Sequence, residues 1–71
     1  MISARNQFKG KIKSIKLGNL MAEIVIDIGT NELVSVITRE SAERMKLKKG
    51  MAVTAVIKST EVIVATKSTS G

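Results

Sequence analysis

An all-β fold with one short helix, closed as a small five-stranded barrel, is what three features of this sequence predict. Apolar residues alternate with polar ones over several short runs. Turn-forming residues punctuate those runs, and one stretch alone switches from a two-residue to a helical period. At 71 residues the chain makes a single domain. That domain is expected over residues 1–66, with 67–71 as a small polar, disordered tail.

The first strand runs from Phe8 to Leu17, but its apolar residues change phase. Phe8 and Ile12 share one parity, whereas Ile15 and Leu17 take the other, which predicts a bulge near Lys13-Ser14. Phe8 itself reads as a core residue. Gly18-Asn19 is a turn signal. Met21 to Ile28 is the cleanest strand, with Ala22, Ile24, Ile26 and Ile28 on one face and Glu23 and Asp27 on the other. Gly29-Thr30-Asn31 supplies the next turn, and Leu33 to Ile37 is a short strand apolar on both faces. After Thr38 the period becomes helical over Arg39 to Met45, where Ala42 and Met45 share a face. Thr38 is the expected N-cap, and Lys49-Gly50 is the expected end of the segment. Ala52 to Ile57 and Glu61 to Ala65 complete the set as two further strands. The order βββαββ is that of an OB-like Greek-key barrel.

A chain this short rarely builds a core worth more than about 3–5 kcal/mol, and the usual supplements are disulfides, a metal or oligomerisation. Cysteine and histidine are both absent, and the six acids are scattered singly. Disulfides, thiolate sites and cation-ligand clusters are therefore not expected, and the commonest general base is missing, so the chain reads as a non-enzyme. Oligomerisation remains. The strands that are apolar on both faces point the same way, because a five-stranded domain covers only one of their faces internally.

Net charge is +6, which attracts anions of every size without choosing among them. No apolar run approaches the length of a membrane helix, and the first residues lack a basic region followed by an apolar one, so a cytoplasmic protein with no membrane partner is expected. OB-like barrels commonly bind oligonucleotides, and a basic module for single-stranded nucleic acid is the second reading. Its weakness is the want of stacking platforms: Phe8 is the sole aromatic residue.

Two stretches are rich in hydrogen-bond donors. Ser3-Ala4-Arg5-Asn6-Gln7 offers a hydroxyl, a guanidinium and two carboxamides with no acid among them. Lys58-Ser59-Thr60 repeats the pattern at the far end of the chain. Arginine has five donors in a fixed fork and no acceptor, which suits an oxyanion.

These two blocks carry a family resemblance. Ile2-Ser3-Ala4-Arg5-Asn6-Gln7-Phe8-Lys9-Gly10 and Ala55-Val56-Ile57-Lys58-Ser59-Thr60-Glu61-Val62, at their separation, resemble the molbindins, small cytoplasmic proteins made of one Mop domain. The similarity extends from Met1 to about Ala65 and includes Ile37-Thr38-Arg39-Glu40-Ser41-Ala42. Phe8 stands where an aliphatic residue is common, the Gly29-Thr30-Asn31 turn is less glycine-rich, and the tail after Ala65 is extra. The resemblance implies an OB-like fold and a homohexamer built as a trimer of dimers. It also implies molybdate or tungstate bound between subunits for storage or buffering, without an organic cofactor. The implied site residues are Ser3, Arg5, Lys58 and Ser59, with Thr38 and Ser41 completing the shell. Gly18, Asn19 and Leu20 are candidates for a second class of site. The residues also have plainer readings: Thr38 as a helix cap, Ser41 as a solvent-facing hydroxyl, Lys58 as an ordinary strand-end lysine. Glu40 is expected to point away from the anion.

Overall fold

A strand forms where an alternating run finds a partner, and in this chain four runs do. The computed structural model describes residues 6–66. It contains β1 (Asn6–Leu17), β2 (Met21–Asp27), β3 (Glu32–Thr38), the helix α1 (Arg39–Arg44) and β4 (Ala52–Ile57), followed by a 3-10 turn at Ser59–Glu61. The strands form one antiparallel sheet in the order β3-β2-β1-β4. Asp27 pairs with both Glu32 and Lys11, and Lys11 pairs with Ala52, so one row of residues crosses the whole sheet.

The phase change in the first strand is a bulge. The register of β1 against β2 slips between Ile12 and Ser14, which carries the inward face from Ile12 to Ile15. The backbone N–H and C=O of Ile12 bond instead to the loop before β4: Ile12 N donates to Met51 O at 3.0 Å, and Gly50 N donates to Ile12 O at 2.7 Å. Two residues earlier, Gly10 lies so close to β2 that an added Cβ would collide with the Asp27 carbonyl oxygen. Here β1 leaves one partner for the other, and the sheet curls.

Ile12, Ala22, Ile24 and Ile26 line the inside of the curl, and Ala42 of α1 closes it. The expected inward face of the second strand is thereby found, with Ile28 packed beside it. At the β2–β3 turn, Gly29 takes φ +98 and its N–H is held at 2.8 Å by the Asp27 carboxylate. Thr38 caps α1 as expected. The helix ends sooner than the lysine-glycine pair would place it: Lys46 turns left-handed at φ 54, while Gly50, at φ 86, serves the separate turn into β4. An αL residue stops a helix because its backbone no longer continues the hydrogen-bond ladder.

Two expectations need correction. The fifth strand, Glu61 to Ala65, does not form among the described residues; Glu61 belongs to the 3-10 turn, and Val62, Ile63 and Val64 are 51%, 91% and 87% exposed. The segment is apolar enough for a strand, but among the described residues no sheet edge pairs with it. The sheet is consequently a half-barrel, with an apolar groove between its edge strands lined by Ile12, Ile24, Ile26, Leu33, Val53 and Ala55. Phe8 is not core either, being 40% exposed. Its partner Ala55 belongs to β4, whereas the main helix contacts are with β2 and β3, so the Phe8 end of the sheet lacks that cover.

Candidate functional site

The β3–α1 junction carries the first cluster. β3 delivers Thr38 in an extended conformation, φ −70 and ψ 147, as required of an N-cap. Its Oγ1 accepts the Ser41 N–H at 3.1 Å and donates to Ser41 Oγ at 2.8 Å. Arg44, one turn further on, donates from Nη2 to the same Ser41 Oγ at 3.3 Å. Thr38 is thus the helix cap of the plainer reading, and Ser41 is half-buried beside it rather than free in solvent.

Arg39 fastens this junction to the β1–β2 turn. Its backbone N–H donates to Leu20 O at 2.8 Å, and its Nη1 donates to Gly18 O at 3.2 Å. Its Nε pairs with Glu43 at 3.1 Å. The turn Gly18-Asn19-Leu20, a candidate for a second class of site, therefore lies against the cluster of the first. Leu20 is 80% exposed at its tip.

Lys58 and Ser59 follow β4 at the other end of the molecule, both exposed. Lys58 precedes the 3-10 turn without a capping bond from its side chain, so its ammonium is not tied down by that turn. Asn6 pairs with Ile57, so β1 begins where β4 gives way to Lys58 and Ser59. Ser3 and Arg5 lie outside the described residues. Thr38, by contrast, pairs with Met21, next to Ala22, the partner of Leu17 at the far end of β1. β1 has 12 residues, and at about 3.3 Å per residue its two ends are separated by up to about 36 Å along the strand. No hydrogen bond among those described joins Thr38 or Ser41 to Lys58 or Ser59, and Lys58 borders the apolar groove on the side opposite β3.

The basic charge is unevenly answered. On β1, Lys11 faces Asp27, Lys16 faces Glu23, and Lys13 forms an exposed ion pair with Glu32. That hydrogen bond, with the Glu32 charge behind it, raises the Lys13 ammonium above its ordinary value of 10.5. Three of the four β1 lysines therefore have an acid beside them, whereas Lys9 pairs with Thr54. Positive charge without a cross-strand acid gathers at Lys46, Lys48 and Lys49 in the loop before β4. Arg39 and Arg44 escaped the reading of the sequence, which treated α1 only as a capped amphipathic turn. The i to i+3 spacing of Ser41 and Arg44 was the available signal, since such residues are neighbours on a helix surface.

These features define a small OB-like β-domain with hydroxyl and cation clusters at opposite ends of its long first strand. The chain belongs to the TOBE domain family, whose model matches residues 2–64. It is 48% identical over 64 residues to molybdenum-pterin-binding protein 1 of Clostridium pasteurianum, covering 89% of this chain and 94% of that one. Among solved structures it is similar to MopII from the same organism, with a TM-score of 0.87 and 43% identity over 93% of this chain and 100% of the other. A molybdate-binding protein from Sporomusa ovata superposes with a TM-score of 0.88 at 41% identity, over 93% and 98% of the two chains. The resemblance to the molbindins is upheld, and with it the OB-like fold class. Among the described residues no helix is long and apolar enough to cross a membrane.

Proposed function

We propose that this protein binds molybdate or tungstate as a free oxyanion between subunits of a cytoplasmic homohexamer, for storage or buffering and without catalysis or an organic cofactor. The Mop-type domain spans residues 1–66. A tetrahedral dianion presents acceptors in every direction, so it is best held by donors and positive charge arriving from several sides. Ser3, Arg5, Lys58 and Ser59 supply one side, and Thr38 and Ser41 the other. Gly18, Asn19 and Leu20 contribute to a second class of site.

The observation that carries this reading is the placement of Lys58-Ser59 and Thr38-Ser41 at opposite ends of β1. Hydrogen bonds reach about 3 Å, so an anion touching both groups takes them from two chains. The exposed valines of β3, Val34 and Val36, and the segment Val62 to Val64 give such chains an apolar surface to share. Relatives named for molybdate and molybdenum-pterin binding supply the ligand class. The nucleic-acid reading has no comparable support.

Two experiments test the proposal. Calorimetric titration is expected to show saturable binding of molybdate and tungstate, and far weaker binding of sulfate, phosphate, a free pterin or a short oligonucleotide. A response confined to the pterin or the oligonucleotide refutes the ligand assignment. Arg5→Ala chains and Thr38→Ala/Ser41→Ala chains are each expected to lose most binding, whereas refolding them together restores part of it, because some mixed interfaces pair an intact half with an intact half. If mass spectrometry confirms mixed oligomers and capacity stays lost, the site lies within one chain.

A further inference from the structure

Two unfinished features of this chain match each other. The half-barrel has two edge strands, and neither carries the devices that usually keep edges apart. β4 contains no charge, proline or glycine. The single charge of β3 is Glu32, at its first position. Between these edges lies the apolar groove lined by Ile12, Ile24, Leu33, Val53 and Ala55. The second feature is the run Glu61 to Ala65. Val62, Ile63 and Val64 are β-branched and suited to a strand, yet they are 51%, 91% and 87% exposed. Five extended residues span about 16 Å, and both β3 and β4 are longer than that. The 3-10 turn leads the run off the end of β4: Glu61 N donates to Lys58 O at 2.9 Å and Val62 N to Ser59 O at 3.4 Å. Lys58 and Glu61 still border the groove, so the run departs from its mouth.

We propose that the run Glu61 to Ala65 of each chain seats in the groove of a second copy, between β3 and β4, and completes that copy's barrel as its fifth strand. Each copy has one run to give and one groove to fill, so reciprocal exchange within a closed pair satisfies both. An unrelated peptide would fill the groove but leave the chain's own Val62 to Val64 exposed. The exchanged strand finds backbone partners on the open edges and buries its inward side chains against the groove. That burial supplies stability which a core this small lacks. Lys58 and Ser59 form the root of the exchanged run and therefore stand where the two chains cross. The inference deepens the assembly in the proposed function and rests on that part of it alone, since the exchange needs no ligand.

The test uses the full chain without molybdate. Because the chain has no cysteine, a single thiol can be placed at a chosen position. Ile63→Cys is labelled with a benzophenone photo-crosslinker and refolded with isotope-labelled wild type, and the crosslinked peptides are mapped by mass spectrometry. The label is expected to join β3 or β4 of the wild-type chain. Crosslinks to the groove of its own chain overturn the inference, as do crosslinks that avoid the groove altogether. The double variant Ile63→Asp/Val64→Asp places a charge on both faces of the run. Both positions are exposed in the single chain, so its own fold has nothing to lose there. The concentration at which light scattering shows assembly is expected to rise at least about tenfold, as for apolar side chains withdrawn from a buried site. Unchanged assembly overturns the inference, and the crosslink map decides should the double variant precipitate. Titration of wild type with molybdate reads the proposed ligand separately. An exchanged assembly that binds no anion leaves this inference standing, whereas anion binding by an assembly without the exchange overturns this inference only.

Discussion

Replacing Gly10 by alanine tests whether β1 must pass as close to β2 as the structure places it. A methyl group at this position meets the Asp27 carbonyl oxygen inside the 3.0 Å that real Cβ contacts keep, with Asp27 C and Ile26 Cγ2 both at 3.1 Å. The obstructing atoms are largely backbone of a paired strand, so rotating a side chain does not relieve the clash. Overpacking of this kind costs about 1–3 kcal/mol, and the rigidity of the ladder puts Gly10→Ala near the upper end. Against this, alanine loses less conformational freedom on folding than glycine, a gain of about 0.5–1 kcal/mol. The net destabilisation is then about 2 kcal/mol. For a domain of this size each kcal/mol moves the melting temperature by about 4–8 °C, so a drop of about 8–16 °C is expected. Thermal unfolding followed by circular dichroism reads it, with wild type and variant at equal protein concentration because assembly makes the midpoint concentration-dependent. A variant melting within about 2 °C of wild type, well under the shift for one kcal/mol, refutes the close approach and with it the account of why the sheet curls there.

Three further outcomes follow from the geometry. The protein without ligand is expected to be assembled already, with light scattering at micromolar concentration giving about six chain masses; a stable folded monomer contradicts the reading of its exposed valines. Thr38→Ala should cost about 1 kcal/mol through loss of the N-cap and also weaken molybdate binding, whereas Thr38→Ser should restore both in melting and titration experiments. Lys13 should titrate above an ordinary lysine in a pH series followed by NMR, and Glu32→Gln should return it towards 10.5. Since the folded value is the raised one, whatever the pair contributes is present at neutral pH and disappears as pH rises through that value in the alkaline range. The pair is fully exposed, so Glu32→Gln should leave the neutral-pH melting temperature unchanged within error.

Much of this molecule was written in local patterns. The parity change between Ile12 and Ile15 announced the bulge, because a pleated strand can move its apolar face from one parity to the other only by an extra residue. Ala22, Ile24 and Ile26 announced the inward face of β2, and Thr38 announced the helix start. The donor blocks around Arg5 and Lys58 were legible because both combine cations and hydroxyls at the end of an alternating run. Arg44 was less so, since only the i to i+3 spacing hinted that it meets Ser41 Oγ.

By itself, the sequence determined which segments extend, where they turn, which face of each is apolar and which family the chain resembles. Those properties depend on residues a few positions apart. The tertiary structure alone decided that β4 pairs with β1, that the run Glu61 to Ala65 finds no edge among the described residues, and that Arg39 ties the Gly18-Asn19-Leu20 turn to the helix. It also decided that Thr38 and Lys58 stand at opposite ends of one long strand. Strand pairing is a contest among distant edges, settled by closure entropy, register and curvature together. An apolar period records that a segment needs a partner, but it carries no information about which edge, or which chain, provides one.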